Sequence, residues 1–371
     1  MAMYGVHCME NTDFHRRIQA LCLEFRDIFS RTVTPQAADV PPFKIEVDDQ
    51  LWQVKAHCKG ARPQPPLRRL EVKRQIDLML NLGVIRRAHN VGYYSQVLLT
   101  PKPGGKWRFC IDYRILNSVS RNNAGFPIPN IPTLLHRLGA KRFKYAGKLD
   151  FSSGYHQVLM DPATSQMAAF ICEEGVFVPN RLMFGIMAAP SYYQGHMAKT
   201  VLDDLLGWIC ELYIDDVFVW GQTEEEFLTS LRKLFVRLRE KHITVNPDKC
   251  ELGVPKLEFV GHVIDEHGIS MSDTKIRKVL DFPEPEILRE LRGYVGLCNY
   301  FSDHIRDSSV IMRPLHKCIA RHAASATSKR RAALTKISWE PEELEAFHKI
   351  KTAMENCTKL FFVDETSEVF F

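Results

Sequence analysis

Residues 208–220 read WICELYIDDVFVW, in which two apolar runs meet at the adjacent acids Asp215 and Asp216. Runs rich in Ile, Val, Phe, Tyr and Trp on both sides of so short a polar break predict a β-hairpin. The two acids lack the glycine or asparagine that tight hairpin turns favour, so turn propensity alone does not explain them. A solvated turn that carries two acids without a function is the alternative.

Adjacent carboxylates at a hairpin tip indicate a bound cation. At an effective dielectric constant of about 20, two carboxylates about 4 Å apart repel each other by about 4 kcal/mol. A cation between them removes this repulsion, and ligands that are all oxygen atoms suit Mg²⁺ better than zinc. Asp215 and Asp216 are therefore candidate metal ligands.

Two blocks of the sequence match one known family. Residues 213–216, YIDD, resemble the YxDD box of reverse transcriptases, and residues 148–157, KLDFSSGYHQ, resemble the LDLxxGYHQ segment of the Ty3/gypsy class of retrotransposon polymerases. Two blocks in the family's order are more specific than either alone. The resemblance implies that Asp150 is the third carboxylate of the site. It also implies that Tyr155 is the aromatic residue that crowds a ribose 2′-OH and so selects deoxynucleotides.

A second hairpin is predicted over residues 95–112, where two strand-like runs flank the turn sequence PKPGG. This segment resembles the reverse transcriptase hairpin in which an arginine and a nearby lysine bind the triphosphate of the incoming nucleotide. Arg108 matches the arginine, and Lys102 and Lys106 are both candidates for the lysine. A guanidinium suits phosphate oxygens, whereas a surface charge opposite Asp112 is the alternative for Arg108.

Residues 181–194, RLMFGIMAAPSYYQ, resemble the block of the same polymerases that backs the templating base pair. Phe184 and Gly185 match that block, while Met183 stands where the family has a proline. The resemblance implies that Phe184 and Gly185 contribute to nucleotide binding.

Two further segments resemble parts of these polymerases. Residues 246–250, NPDKC, resemble the LNPxKC segment, whose lysine lies near the departing pyrophosphate. Lys249 is that lysine, and an ordinary surface lysine is the alternative. Residues 257–262 resemble the primer grip, a hairpin that holds the primer 3′ end, in which Phe259 and Gly261 match.

Residues 55–74 form a basic run in which Glu71 is the single acid. A solvated charged face and a surface that follows phosphates both account for such a run. Apolar stripes predict helices within residues 14–29, 72–80, 131–138, 193–205, 227–238 and 287–298.

The resemblance implies an α+β fold of the right-hand polymerase type, with fingers, an antiparallel palm sheet, a helical thumb and a truncated connection segment. The expected ranges are 1–60 for a partly disordered lead-in, 61–265 for fingers and palm, and 266–320 for the thumb. Residues 321–371 are expected to be a flexible basic linker and the connection to a ribonuclease H domain that is absent.

Composition sets wider limits. The chain has 371 residues, 45% of them hydrophobic and 25% charged, as in ordinary globular proteins. Its formal net charge of +5 permits a nucleic-acid partner without requiring one. The ten cysteines are scattered without a CxxC pair, which predicts reduced thiols in an intracellular protein. No signal-peptide pattern and no apolar run of about 18 residues occurs, so neither secretion nor a membrane is expected.

Together these features predict an RNA-directed DNA polymerase. Two Mg²⁺ ions, with Mn²⁺ as a substitute, are expected to be held by Asp150, Asp215 and Asp216. The expected partners are an RNA or DNA template with its primer and deoxynucleoside triphosphates, and the oligomeric state is open. One alternative is a decayed or domesticated nucleic-acid-binding protein that keeps the fold, which Met183 motivates. Another is an RNA-templated RNA polymerase, against which Tyr155 argues.

Overall fold

The computed structural model describes residues 12–54, 60–88, 91–101, 105, 107–121, 125–324, 333–357 and 359–362. Contacts between residues divide the chain into two compact units. Unit 1 comprises Met1–Leu134 and Phe143–Pro255, and unit 2 comprises Leu135–Arg142 and Lys256–Phe371. The division at Pro255 therefore comes before residue 265, where the sequence predicts the end of the palm.

Within the described ranges, the strands of unit 1 form two sheets. The strands are β1 (Ile85–Arg87), β2 (Ser95–Pro101), β3 (Trp107–Ile111), β4 (Tyr145–Asp150), β5 (Phe170–Cys172), β6 (Gly175–Pro179), β7 (Cys210–Tyr213), β8 (Asp216–Gly221) and β9 (Glu251–Val254). One sheet has the order β1-β6-β5-β2-β3, and the other, which we call the carboxylate sheet, has the order β7-β8-β4-β9. All neighbouring strands of the carboxylate sheet are antiparallel, as predicted for the palm.

Both predicted hairpins of unit 1 are confirmed. Strands β7 and β8 pair antiparallel, and so do β2 and β3, with Thr100 opposite Arg108. Buried apolar residues such as Leu149, Val217 and Val219 fill the interior of the carboxylate sheet.

The helices in the described part of the chain up to Pro255 are α1 (Asp13–Glu24), α2 (Asp49–Val54), α3 (Pro66–Asn81), α4 (Arg114–Val119), α5 (Ile131–Gly139), α6 (Pro162–Met167), α7 (Ala189–His196) and α8 (Glu224–Glu240). Helices α1, α3, α5, α7 and α8 overlap predicted apolar stripes, whereas α2, α4 and α6 were not predicted. The Thr223 hydroxyl accepts a hydrogen bond from the Glu226 amide at 3.2 Å, so it caps the start of α8. Helix α8 then buries Phe227, Leu231 and Leu234.

Residues 12–54, part of the predicted lead-in over residues 1–60, are folded and packed, while residues 1–11 and 55–59 lie outside the described ranges. Helix α1 buries Phe14 and Ile18, and the ring of Phe14 meets that of Phe227 in α8 at a centroid distance of 5.9 Å. Arg17 pairs with a glutamate at the start of the same helix. The stripe of α1 was visible in the sequence, but its packing partner lies about two hundred residues downstream.

The described part of the basic run belongs largely to α3, where it is paired with acids. Arg69 contacts Glu173 at 2.9 Å, and Lys73 lies 3.7 Å from Glu174. These pairs favour a charged face over a surface that follows phosphates. Residues 55–59 lie outside the described ranges.

Unit 2 contains a small sheet and four described helices. Its strands are β10 (Lys256–Phe259), β11 (His262–Asp265), β12 (Gly268–Met271) and β13 (Leu360–Phe361), in that order across the sheet. Its helices are α9 (Asp273–Leu280), α10 (Leu288–Asn299), α11 (Ser308–Ala324) and α12 (Pro341–Glu355), which share a core that includes Leu291, Tyr294 and Phe347. Among the helices of the described ranges, none is both long and apolar enough to cross a lipid bilayer.

A helix extends into the start of the range 321–371, which the sequence predicts to begin with a flexible basic linker. Helix α11 continues to Ala324, and Arg321 donates a hydrogen bond of 2.6 Å to Glu343 at the start of α12. Because this glutamate is buried, the arginine neutralises it and fixes the end of α11. Residues 325–332 lie outside the described ranges.

Candidate active site

The carboxylate sheet brings the three predicted aspartates together. Strand β4 ends at Asp150, which lies opposite Asp216, the first residue of β8. The next residue, Phe151, donates its amide to the carbonyl oxygen of Asp215 at 2.8 Å. The end of β4 is therefore bonded directly to the turn between β7 and β8, and all three acids lie at one edge of the sheet.

The hairpin turn consists of Ile214 and Asp215, because Tyr213 pairs with Asp216. The sequence placed the turn at the two aspartates, so the prediction is wrong by one residue. Ile214 has a φ of +56°, a left-handed conformation that a β-branched residue rarely adopts. The buried side chain of Gln194 stabilises it, since its Oε1 accepts the Ile214 amide at 2.6 Å.

Gln194 is thus a positioning residue that the sequence analysis did not identify. It lies in α7, within the block that resembles the family, but nothing in the local sequence indicates that its amide reaches the turn twenty residues later. It holds the backbone next to Asp215 in place.

Gln157 fixes the chain that follows Asp150. Its Nε2 donates to the carbonyl oxygens of Ser152 at 3.0 Å and Thr244 at 2.9 Å, and its Oε1 accepts the Thr244 amide at 2.8 Å. The Asn246 amide also donates to the carbonyl of Asp150 at 2.8 Å. These bonds join the segment around residues 244–246 to the end of β4. The sequence matched Gln157 to the family without giving it a role.

Burial and mutual repulsion affect the acids unequally. Burial, aided by the charges of Asp215 and Asp150, raises the pKa of Asp216 to about 6. Burial, followed by the charge of Asp150, also raises the pKa of Asp215. Carboxylates whose pKa is raised by burial and by neighbouring negative charge are stabilised in their charged form by a bound cation.

Lys249 provides one positive charge at this site. Its Nζ lies 3.0 Å from each carboxylate oxygen of Asp150. Lys249 ends a short 3₁₀ helix, Pro247–Lys249, that follows the Asn246 bond to β4. The sequence predicts that Lys249 lies near the departing pyrophosphate, and that role stays a prediction.

A cleft of about 790 Å³ in unit 1 is lined by Arg108, Phe184 and Gly185, together with Ser153 and other residues. The structure therefore brings three of the predicted nucleotide-binding residues to one cavity. Arg108 projects from β3 and is exposed. The alternative partner for Arg108, Asp112, instead accepts hydrogen bonds of 2.7 and 2.6 Å from Arg114. Lys102 and Lys106 lie outside the described ranges.

Tyr155 joins this cleft to the acids. Its ring stacks on that of Phe184, with centroids 4.7 Å apart and planes inclined by 24°. Phe184 is 56% exposed and lines the cleft, and the buried Tyr155 supports its ring from behind. Burial, followed by the charge of Asp215, raises the pKa of Tyr155 to about 12, so its hydroxyl stays neutral.

The loop after Phe184 is clamped by Asn117, another residue that the sequence analysis missed. Asn117 donates through Nδ2 to the Gly185 carbonyl at 2.9 Å and accepts the Met187 amide at 2.9 Å. Gly185 has a φ of +97°, and an added Cβ would lie 3.3 Å from the Ile111 carbonyl oxygen. Only glycine therefore fits this position without strain.

A protein-family model described as "Reverse transcriptase (RNA-dependent DNA polymerase)" matches residues 100–264. Residues 100–264 form a reverse transcriptase domain. This range contains all four strands of the carboxylate sheet and all three aspartates. The resemblance to reverse transcriptases that the sequence predicts is therefore confirmed.

Relatives of this reverse transcriptase domain are retrotransposon polyproteins. The retrovirus-related Pol polyprotein from transposon 297 of Drosophila melanogaster is 30% identical over 287 residues, which cover 76% of this chain and 26% of that protein. The transposon Tf2-3 polyprotein of Schizosaccharomyces pombe is 26% identical over 335 residues, which cover 89% of this chain and 24% of that protein. The chain spans about a quarter of the length of these curated relatives.

Solved structures confirm the predicted α+β polymerase fold. The foamy viral protease-reverse transcriptase in complex with an RNA/DNA hybrid superposes with a TM-score of 0.77 at 22% identity, covering 95% of this chain and 45% of that one. A second structure of the foamy viral protein, in complex with double-stranded DNA, has a TM-score of 0.78 at 22% identity and covers 96% of this chain and 60% of that one.

The segment that resembles the primer grip is a hairpin in unit 2, formed by β10 and β11 with Val260 and Gly261 in the turn. Both turn residues have positive φ, +45° and +81°, and the Tyr300 hydroxyl donates to the Val260 carbonyl at 2.7 Å. Phe259 is fully buried, so its ring packs inside the unit. Binding of the primer 3′ end by this hairpin, which contains Phe259 and Gly261, stays a prediction.

The acids of the reverse transcriptase domain suit a divalent cation in their chemistry. They supply carboxylate oxygens alone, and two of them have a raised pKa through burial and crowding of charge. In the part of the chain that the structure describes, however, no group of three His, Cys, Asp or Glu side chains is arranged to hold a metal ion. Both oxygens of Asp150 are instead engaged by Lys249. Metal ligation by the three aspartates therefore stays a prediction.

Proposed function

We propose that this chain is an RNA-directed DNA polymerase that extends a primer on an RNA or DNA template. The observation that carries the proposal is the convergence of Asp150, Asp215 and Asp216 at one edge of the carboxylate sheet. The cleft lined by Arg108 supports it further, because phosphoryl transfer depends mainly on positioning and on neutralising charge. The RNA/DNA hybrid and double-stranded DNA bound by the foamy viral proteins support nucleic-acid duplexes as the substrate.

In this proposal the three aspartates hold the divalent cations, Mg²⁺ or Mn²⁺. When bound, such ions neutralise the triphosphate and lower the pKa of the primer 3′-OH. Asp150 and Asp216 are fixed by the register of β4 and β8, so their carboxylates are preorganised for this role. The turn residue Asp215 is fixed by its bond to Phe151 and by the contact of Gln194 with Ile214.

Arg108 and the aromatic pair act on the incoming nucleotide. The guanidinium of Arg108 binds phosphate oxygens with its fork of donors, which orients the triphosphate toward the acids. Phe184 supports the base pair from its exposed ring. Tyr155, buried behind Phe184 and beside Asp215, excludes a ribose 2′-OH and so selects deoxynucleotides.

Intracellular action belongs to the same proposal. The cysteines of the described ranges are free thiols, as suits a reducing compartment, and they include the buried Cys172, Cys210 and Cys250.

Primer extension on an RNA template with Mg²⁺ tests the proposal. Asp215→Asn removes a carboxylate charge while keeping the size of the side chain, so we expect it to abolish synthesis and leave binding of the template and primer intact. Asp203→Asn, an equal change at an exposed aspartate, is the matched control and should extend normally. Extension that survives Asp215→Asn would overturn the proposed mechanism. Wild-type protein that binds the duplex but never extends it would instead support the decayed, nucleic-acid-binding alternative.

A further inference from the structure

Lys249 reaches from solvent onto a nearly buried acid. Its side chain is 59% exposed, whereas that of Asp150 is 12% exposed. The ammonium group lies 3.0 Å from both carboxylate oxygens, so it occupies the edge of the carboxylate through which a cation would bind. A lysine side chain carries a compact charge on a flexible four-carbon stem, and it changes rotamer easily when that stem is exposed.

The backbone that carries Lys249 is anchored independently of this contact. Arg31 donates hydrogen bonds of 2.6 and 2.7 Å to the neighbouring Asp248. The Asn246 side chain accepts the Asp248 amide at 3.1 Å, and the Asn246 amide is bonded to the carbonyl of Asp150. The ammonium can therefore leave the carboxylate by side-chain rotation alone, without a change in the main chain.

The contact also has a consequence for metal binding. A divalent cation held by Asp150 would need the lone pairs that the ammonium engages. A doubly charged ion placed among Asp150, Asp215 and Asp216 neutralises more charge than one ammonium does. The two cations compete for the same carboxylate.

We propose that Lys249 is an exchangeable counterion: it occupies Asp150 in the metal-free protein and is displaced when a divalent cation binds. This inference rests on the proposed function, because it takes the three aspartates as the metal ligands. It assigns Lys249 an action before the nucleotide arrives, distinct from any contact with the departing pyrophosphate. Displacement leaves the ammonium at the mouth of the site, where it is free to meet phosphate.

The first test measures whether Lys249 leaves. Amine-reactive labelling of the full chain, read out by mass spectrometry, reports how accessible each lysine is with and without Mg²⁺. Labelling of Lys249 should rise severalfold when Mg²⁺ is added, and labelling of the exposed Lys233 in α8 should stay constant. In Asp216→Asn protein, which retains the Lys249 contact but has a weakened metal site, the rise should be much smaller.

The second test measures competition. Lys249→Met should lower the dissociation constant for Mn²⁺, followed by electron paramagnetic resonance, by roughly threefold to fivefold, the range expected for removing a partly exposed ion pair. Lys249→Arg keeps a cation on Asp150 and should stay close to wild type. Lys233→Met makes the same change in net charge on an exposed face and is the control.

Two results would overturn the inference in different ways. If wild-type protein binds Mn²⁺ at a site that Asp216→Asn weakens, but Lys249 labelling and the Lys249→Met affinity do not change, the counterion role is wrong and the proposed function stands. If no Mn²⁺ site responds to Asp216→Asn, both the counterion role and the proposed metal ligands are wrong.

Discussion

Asp150 and Asp216 lie directly opposite each other across the antiparallel strands β4 and β8. Residues paired in this way project from the same face of a sheet, with their Cβ atoms about 5 Å apart. The closeness of the two acids is therefore set by backbone hydrogen bonds and does not depend on their side chains. For this reason, changing a carboxylate to an amide should alter the chemistry of the site while leaving the sheet intact.

The first prediction concerns pH. The pKa of Asp216, about 6 in the folded protein, lies above the value of about 4 for an unfolded aspartate. The folded protein therefore binds an extra proton in this window, so without divalent ions its free energy of unfolding should fall as pH rises from about 4 to about 6. Asp216→Asn should flatten this slope and raise the free energy of unfolding at pH 7 by about 1–3 kcal/mol. Urea denaturation at a series of pH values measures this pH dependence of the free energy of unfolding. An unchanged slope in the variant would contradict the raised pKa of Asp216.

The second prediction concerns the hold of Gln194 on the turn. Gln194→Leu leaves the partly buried Ile214 amide without its acceptor, so the free energy of unfolding should fall by about 1–3 kcal/mol and extension should slow. Gln194→Glu keeps an oxygen acceptor, and because the position is buried near Asp215 the glutamic acid should bind a proton and recover part of the rate. Gln166→Leu, at an exposed glutamine, is the control. Equal rates for the Leu and Glu variants at position 194 would show that the bond does not position Asp215.

The third prediction concerns Tyr193, whose buried hydroxyl has no hydrogen-bond partner among the residues that the structure describes. Tyr193→Phe should therefore keep or raise stability, by up to about 1 kcal/mol. The same hydroxyl lies 2.5 Å from the position of a Cβ added to Gly154, so Gly154→Ala alone should destabilise the protein. The double variant should recover part of that loss. Thermal denaturation of the four proteins measures the coupling, and strictly additive effects would contradict the contact.

The fourth prediction concerns Arg108 and the triphosphate. Arg108→Ala should raise the KM for deoxynucleoside triphosphates about tenfold to a hundredfold, the range for a charge-assisted bond, with a smaller effect on binding of the primer and template. Arg114→Ala removes an exposed arginine that pairs with Asp112, and it serves as the control. A KM that is equal in both variants would exclude Arg108 from the nucleotide site.

The fifth prediction concerns sugar selection. Tyr155→Val removes the ring that stacks on Phe184, so discrimination against ribonucleotides should fall by about tenfold or more. Tyr155→Phe keeps the ring and should discriminate as the wild type does. Ratios of kcat/KM for matched deoxy- and ribonucleotides give the measure, and unchanged discrimination in Tyr155→Val would remove the assigned role.

Local sequence predicted much of the site because its strongest signals are short. The apolar runs around Asp215 and Asp216 predict two strands, and the hairpin was found. The turn was misplaced by one residue because the positive φ of Ile214 is imposed from outside by Gln194, and no local pattern favours isoleucine there.

The contacts that position the acids could not be predicted from sequence because they join distant segments. Gln157 bonds to Thr244, 87 residues away, and Lys249 bonds to Asp150, 99 residues away. Helix α1 was likewise visible as an apolar stripe, but its packing on α8 depends on the tertiary fold. Side-chain exposure is also a tertiary property, which explains why Phe259 matched a primer-contact motif although its ring is buried.

The most direct test of the three-acid site is diffraction from crystals soaked in Mn²⁺. Anomalous difference maps locate the metal independently of any phase bias. The account predicts a peak about 2–2.5 Å from carboxylate oxygens of both Asp150 and Asp215, close to Asp216, with the Lys249 ammonium moved away. A map without a peak among these acids, or with manganese bound only elsewhere on the chain, would contradict it.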